Sequence, residues 1–141
     1  MGDTIKARGS CLCGAVTVEA ETMSTHVGAC HCGMCRKWTG GPGLAVECGD
    51  RVNITGEENI TVFDSSDWAE RAFCSKCGTH LYYRLKQANL YHIQAGLFDA
   101  GSELKFDHQI FIEEKPGWYD FANKTKNLTG EEVFKQFAGL V

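Results

Sequence analysis

Eight cysteines in a chain of 141 residues constrain the fold more than any other feature. Seven fall into three tight groups: Cys11-Leu12-Cys13-Gly14, Cys30-His31-Cys32-Gly33-Met34-Cys35 and Cys74-Ser75-Lys76-Cys77-Gly78. Cys48 stands alone. The N-terminus, Met1-Gly2-Asp3-Thr4-Ile5-Lys6, lacks the apolar stretch of a secretory leader. The chain is therefore expected in the cytoplasm, where thiols stay reduced. Grouped cysteines there hold metal or do chemistry rather than form disulfides.

The spacings sort the groups. Cys-x-x-Cys followed by Gly, as at Cys74 and Cys77, supplies two of the four thiolates that a closed structural zinc site needs. Cys11 and Cys13 supply the other two: at i, i+2 on an extended strand they share a face. Cys30, Cys32 and Cys35 put three thiolates into six residues. That set leaves a fourth position open, as catalytic zinc requires. A closed version would take Cys48, His26 or His31 as the fourth ligand, and Cys48 also suits a buried core position. A zinc centre with three thiolates carries one net negative charge and weak Lewis acidity. It favours a soft fourth ligand, so the group points to a thiol substrate. Two zinc ions per chain are expected.

The rest of the chain reads as one domain over 1–141. Hydrophobic residues at 43% and charged residues at 23% provide material for one core and argue against disorder. No run approaches the roughly 18 apolar residues of a membrane span. A formal net charge of -4 and no basic stripe disfavour nucleic acid as a partner. Short alternating runs bounded by Gly, Asp, Asn and Ser predict antiparallel strands at 15–20, 43–47, 51–55, 60–64, 69–73, 80–84, 90–95 and 106–112. A short helical turn is expected from Cys32 to Trp38. Thr129-Gly130-Glu131-Glu132 is a capping box that opens a C-terminal helix, with Val133, Phe134, Phe137 and Ala138 on one face. The expected fold is mainly β with a short C-terminal helix.

These groups in this order, with Gly9-Ser10 before the first, Arg36-Lys37 after the second and Thr79-His80-Leu81 after the third, resemble the glutathione-dependent formaldehyde-activating family. Lys115-Pro116-Gly117-Trp118-Tyr119-Asp120-Phe121 and Leu128-Thr129-Gly130 look like the family too. The resemblance implies an Mss4-like fold of β-sheets around zinc. It implies Cys11, Cys13, Cys74 and Cys77 as the structural site and Cys30, Cys32 and Cys35 as the catalytic one, in agreement with the spacings. It also implies a carbon–sulfur lyase that joins glutathione, or a similar thiol, to formaldehyde or another small aldehyde. For such a reaction Arg36 and Lys37 are candidate partners for glutathione's carboxylates, or else an ordinary solvated helix end. Trp38 and Trp118 are candidate pocket walls or core residues, and Thr39-Gly40-Gly41-Pro42-Gly43 is a loop whose amides could approach a ligand. His31, His80 and His108 are candidate proton donors. The rival reading is a non-enzymatic zinc-binding interaction module on the same fold.

Overall fold

A computed structural model describes residues 3–141. The chain runs β1 (Thr4–Ser10), β2 (Thr17–Ser24), β3 (His26–Cys30), α1 (Gly33–Thr39), β4 (Gly43–Gly49), β5 (Val52–Thr55), β6 (Ile60–Phe63), β7 (Ala69–Cys74), β8 (His80–Leu85), β9 (Leu90–Gln94), β10 (Lys105–Ile110), β11 (Lys126–Leu128) and α2 (Gly130–Gln136). The strands form two sheets. One has three strands in the order β1-β2-β5, and the other has eight in the order β11-β10-β3-β4-β9-β8-β7-β6. Ladders are antiparallel except at β10, which runs parallel to both β3 and β11.

All eight strands read from the sequence are present, with ends moved by a few residues. The first begins at Thr17 rather than at residue 15, because Ala15 and Val16 close the turn around Cys11. β1, β3 and β11 have no counterpart in that reading. β1 carries Lys6 and Arg8 on its outer face and is an edge strand, so its composition looks like a loop. β11 has three residues. The capping box is formed as expected, with Thr129 Oγ1 accepting from the Glu132 amide at 3.2 Å and Glu132 Oε1 accepting from the Thr129 amide at 2.8 Å. The apolar face of α2 is narrower than its spacing suggests. Val133 is buried, but Phe134 is 45% exposed and Ala138 is exposed beyond the helix end.

The core lies between the sheets. Val18, Ala20 and Met23 from β2 meet Val46 and Cys48 from β4, Ala72 and Cys74 from β7, and Ile93 from β9. Each large apolar side chain so buried contributes about 1.5–3 kcal/mol. Alternation then decides what the opposite face of the large sheet presents. On β4, Val46 and Cys48 enter the core while Ala45 and Glu47 line a cavity of about 1130 Å³. On β7, Ala72 and Cys74 face the core and Arg71 faces the cavity. Phe134 and Phe137 close part of that cavity from the C-terminal side.

Candidate metal centres and the adjoining cavity

The first cysteine group joins the two sheets. Cys11 and Cys13 follow β1, and Cys74 and Cys77 span the end of β7 and the turn after it. Cys11 and Cys13 sit on a turn, closed by the Gly14 amide donating to the Cys11 carbonyl at 3.1 Å, and not on the extended strand that their spacing suggested. The turn brings the sulfurs together instead of strand alternation. All four sulfurs lie within 4.8 Å of one another. Cys11 to Cys13 is 3.6 Å and Cys13 to Cys74 is 3.8 Å. Four sulfurs about 2.3 Å from a tetrahedral zinc would stand about 3.8 Å apart. The Val16 amide donates to Cys11 Sγ at 3.3 Å, the outer contact that a thiolate ligand wants. The residues fit zinc.

The second group is built where β3 runs into α1. Cys30 ends the strand, and Cys32 caps the helix with its sulfur accepting from the Cys35 amide at 3.4 Å. Cys35 follows one turn later, so three sulfurs converge within 4.8 Å. Hydrogen bonds from Cys32 and Cys35, together with burial, push the Cys30 thiol far up. Hydrogen bonds from Cys30 and Cys35 hold Cys32 well below the ordinary thiol range. Three soft donors in one place, unable to share three negative charges unaided, fit a cation such as zinc. Among the described residues no fourth ligand atom joins this group. Cys48 is buried in the core, where burial pushes its thiol up to about 12. His26 is paired with Asp107. His31 is fully buried, with Nδ1 2.7 Å from the Tyr119 hydroxyl and Nε2 2.7 Å from Gln109 Oε1.

All three sulfurs of this group line the cavity. Of the candidate proton donors, His108 also lines it. Its Nδ1 pairs with Asp107 Oδ1 at 2.8 Å, which leaves Nε2 as the free nitrogen. His108 sits opposite Gly28 in the parallel β3–β10 register, two residues before Cys30. His31 has both nitrogens engaged, and His80 is stacked on Trp38 with ring centroids 4.6 Å apart. Burial and the nearby Arg71 charge hold His80 below the ordinary imidazole value.

Trp38 and Thr39 line the cavity, whereas Arg36, Lys37 and Trp118 do not. The Arg36 Nε donates to the His31 carbonyl at 3.0 Å, which fixes the side chain against the backbone. Lys37 is exposed, and Trp118 is 67% exposed against Tyr119. The cation that does reach the cavity beside the sulfurs is Arg71, which the sequence did not single out. Its Nη1 and Nη2 donate to Cys35 Sγ at 3.7 and 3.6 Å. The signal was an arginine in a strand whose partners on both sides are aromatic: Arg71 pairs with Phe63 on β6 and Tyr83 on β8.

Residues 6–114 match the family described as glutathione-dependent formaldehyde-activating enzyme. The chain is 41% identical over 128 residues to an uncharacterized lyase of Schizosaccharomyces pombe, covering 90% of this chain and 93% of that protein. It is 26% identical over 130 residues to a Halomonas elongata protein named as a glutathione-dependent formaldehyde-activating enzyme, covering 84% of this chain and 83% of that one. A Podospora anserina protein of the same name is 30% identical over 125 residues, 84% of this chain and 51% of its own length. The crystal structure of a Rhodobacter sphaeroides protein shares the fold at a TM-score of 0.57 and 23% identity, covering 66% of this chain and 88% of that one. The matched stretch contains all seven grouped cysteines, and the chain belongs to the glutathione-dependent formaldehyde-activating enzyme family.

Proposed function

We propose that the protein is a zinc-dependent carbon–sulfur lyase that adds a small thiol, glutathione or one like it, to formaldehyde or another small aldehyde. The observation that carries this reading is a three-sulfur group, without a fourth protein ligand among the described residues, opening into the large cavity. Cys30, Cys32 and Cys35 would hold one zinc, and Cys11, Cys13, Cys74 and Cys77 a second, structural one. Zinc held there would take a soft sulfur as its fourth ligand and favour the thiolate form at neutral pH.

The chain does the rest. The cavity walls, with Trp38, Tyr83 and Phe137 among them, exclude water and limit the poses of the two reactants. The thiol sulfur forms a bond to the carbonyl carbon, and the C=O π pair moves onto oxygen. The proton lost by the thiol finishes on that oxygen, giving a hemithioacetal. His108 Nε2 is the group suited to carry that proton. Asp107 fixes its ring, and Gly28, its cross-strand partner, lies about 7 Å along β3 from Cys30.

Native mass spectrometry with and without glutathione, together with NMR exchange between glutathione and formaldehyde, tests the reading. Two zinc ions per chain, retained glutathione and exchange faster than the uncatalysed reaction are expected. Cys32→Ser should lose one zinc, the glutathione and the acceleration. One zinc, no bound thiol and no acceleration would overturn the reading in favour of an interaction module.

A further inference from the structure

Arg71 is 5% exposed and stands inside the protein without a carboxylate. Among the described residues it makes no ion pair, and its neighbour Glu70 is taken by Arg84 Nε at 3.0 Å. The guanidinium lies between two rings, with Cζ 5.1 Å from the Tyr83 centroid and 5.9 Å from that of Trp38. Two of its nitrogens donate to one sulfur, that of Cys35. Its Nε is buried and has no acceptor among the described residues. A buried guanidinium normally satisfies its fork of donors with a planar pair of oxygens. Two long contacts to one sulfur leave that capacity unused. Arg71 lines the same cavity as the three sulfurs, so a thiol docked among the cysteines carries its first carbons past the guanidinium.

We propose that Arg71 is the receptor for an anionic oxygen one or two carbons from the sulfur of the docked thiol. The inference rests on the thiol-docking reading above and assigns a group to the other end of the reacting bond. As sulfur adds to the aldehyde carbon, the electron pair of the C=O bond collects on that oxygen. Arg71 donates hydrogen bonds to it and keeps its own protons, and the proton released by the thiol converts the alkoxide to hydroxyl. The same donors accept a carboxylate at that distance in the ground state.

Mercaptoacetate and 2-mercaptoethanol share a sulfur on a two-carbon chain and differ in ending on a carboxylate or a hydroxyl. Calorimetry on zinc-loaded protein is expected to favour mercaptoacetate by about tenfold, as a charge-assisted contact implies. Arg71→Met should abolish the preference while holding 2-mercaptoethanol within about threefold, and Arg71→Lys should keep part of it. Acetate titrated into the wild-type protein should shift the Arg71 Nε resonance in 15N NMR. Equal wild-type affinity for the two thiols, or equal weakening of both in Arg71→Met, overturns the proposal. If Arg71→Met does not fold, Arg71→Lys and the acetate titration decide. Should neither thiol bind while acetate moves the Nε signal, thiol docking fails and the receptor stands. Should both thiols bind alike with the Nε signal unmoved, the receptor fails and thiol docking stands.

Discussion

Gly28 has no side chain because the ring of His108 occupies the place where one would go: a Cβ there would stand 2.2 Å from His108 Nε2. Gly28→Ala should therefore cost about 1–3 kcal/mol in chemical denaturation, the cost of overpacking, and His108→Ala in the same chain should recover most of it. The carboxylate behind that ring also serves His26. The hydrogen bond to Asp107, with a weaker one to Asp3, lifts His26 above the ordinary imidazole value. Burial raises Asp107, but hydrogen bonds from His108 and His26 outweigh it and leave it low. A raised imidazole stabilises the fold fully below its unfolded value of about 6.5, and the contribution is lost as pH climbs through the raised one. His26→Gln should thus lower the urea midpoint at pH 6 and leave it nearly unchanged at pH 9. Solvent screening at this partly exposed pair keeps the difference small. Single residues differ in how far sequence reveals them. The cysteine groups are legible because their spacing is local. Arg36 and Lys37 follow Cys35 directly, yet on a helix such neighbours point about 100° and 200° away from it, and neither reaches the cavity. Arg71 lies 36 residues from the Cys35 it touches, so only the strand register reveals it.

At the scale of elements, α2 lines one side of the cavity and lies beyond the stretch matched to the family. Its start is held by Thr129, and by Glu113, whose carboxylate accepts from the Gly130 amide at 3.0 Å. Phe137 just past its end packs on His92 with ring centroids 6.0 Å apart. Thr129→Ala should cost about 1 kcal/mol, the worth of an N-cap, and should speed hydrogen exchange at the Glu132 and Val133 amides. A cap is written in four adjacent residues and can be read directly. Strand direction cannot: nothing within Lys105–Ile110 marks β10 as parallel, and its parallel pairing with β3 comes from a chain path set elsewhere. β3 is hard to read for another reason: it is five residues long, so the alternation of Val27 and Ala29 into the interior is too brief to stand out beside the cysteine that ends it.

For the whole molecule, the four-cysteine group is the tie between the sheets. Cys13 and Cys74 meet across 61 residues. A metal clip on a loop of that length would contribute about 4 kcal/mol on loop-closure grounds. Stripping metal with a strong chelator should accordingly lower the thermal midpoint sharply. Cys74→Ser should lower it far more than Cys32→Ser, since the latter touches a group at the rim of one sheet. Cys48→Ala should leave zinc content unchanged, and in the unsubstituted chain the Cys48 thiol should stay inert to thiol reagents until the chain unfolds, as a buried thiol pushed up to about 12 requires. Mainly β architecture was readable from alternation and turn residues across the chain. The division into two sheets was not, since it depends on which strand each edge accepts. Among the described residues no helix is long and apolar enough to cross a membrane.

The parallel ladder between β3 and β10 also sets an order of events during synthesis. Lys105 pairs with His26, so the strand that ends in Cys30 waits for a partner made much later. Every grouped cysteine has left the ribosome once Cys77 emerges, whereas β10, β11 and α2 follow. The large sheet cannot complete before β10 is made, since a domain folds as a unit. The sulfurs of both groups are therefore exposed on the nascent chain before the cavity has its far wall. Cysteine chemistry and cavity shape mature in that sequence, and the newborn protein passes through a stage in which its thiols are open to any solute that reaches them.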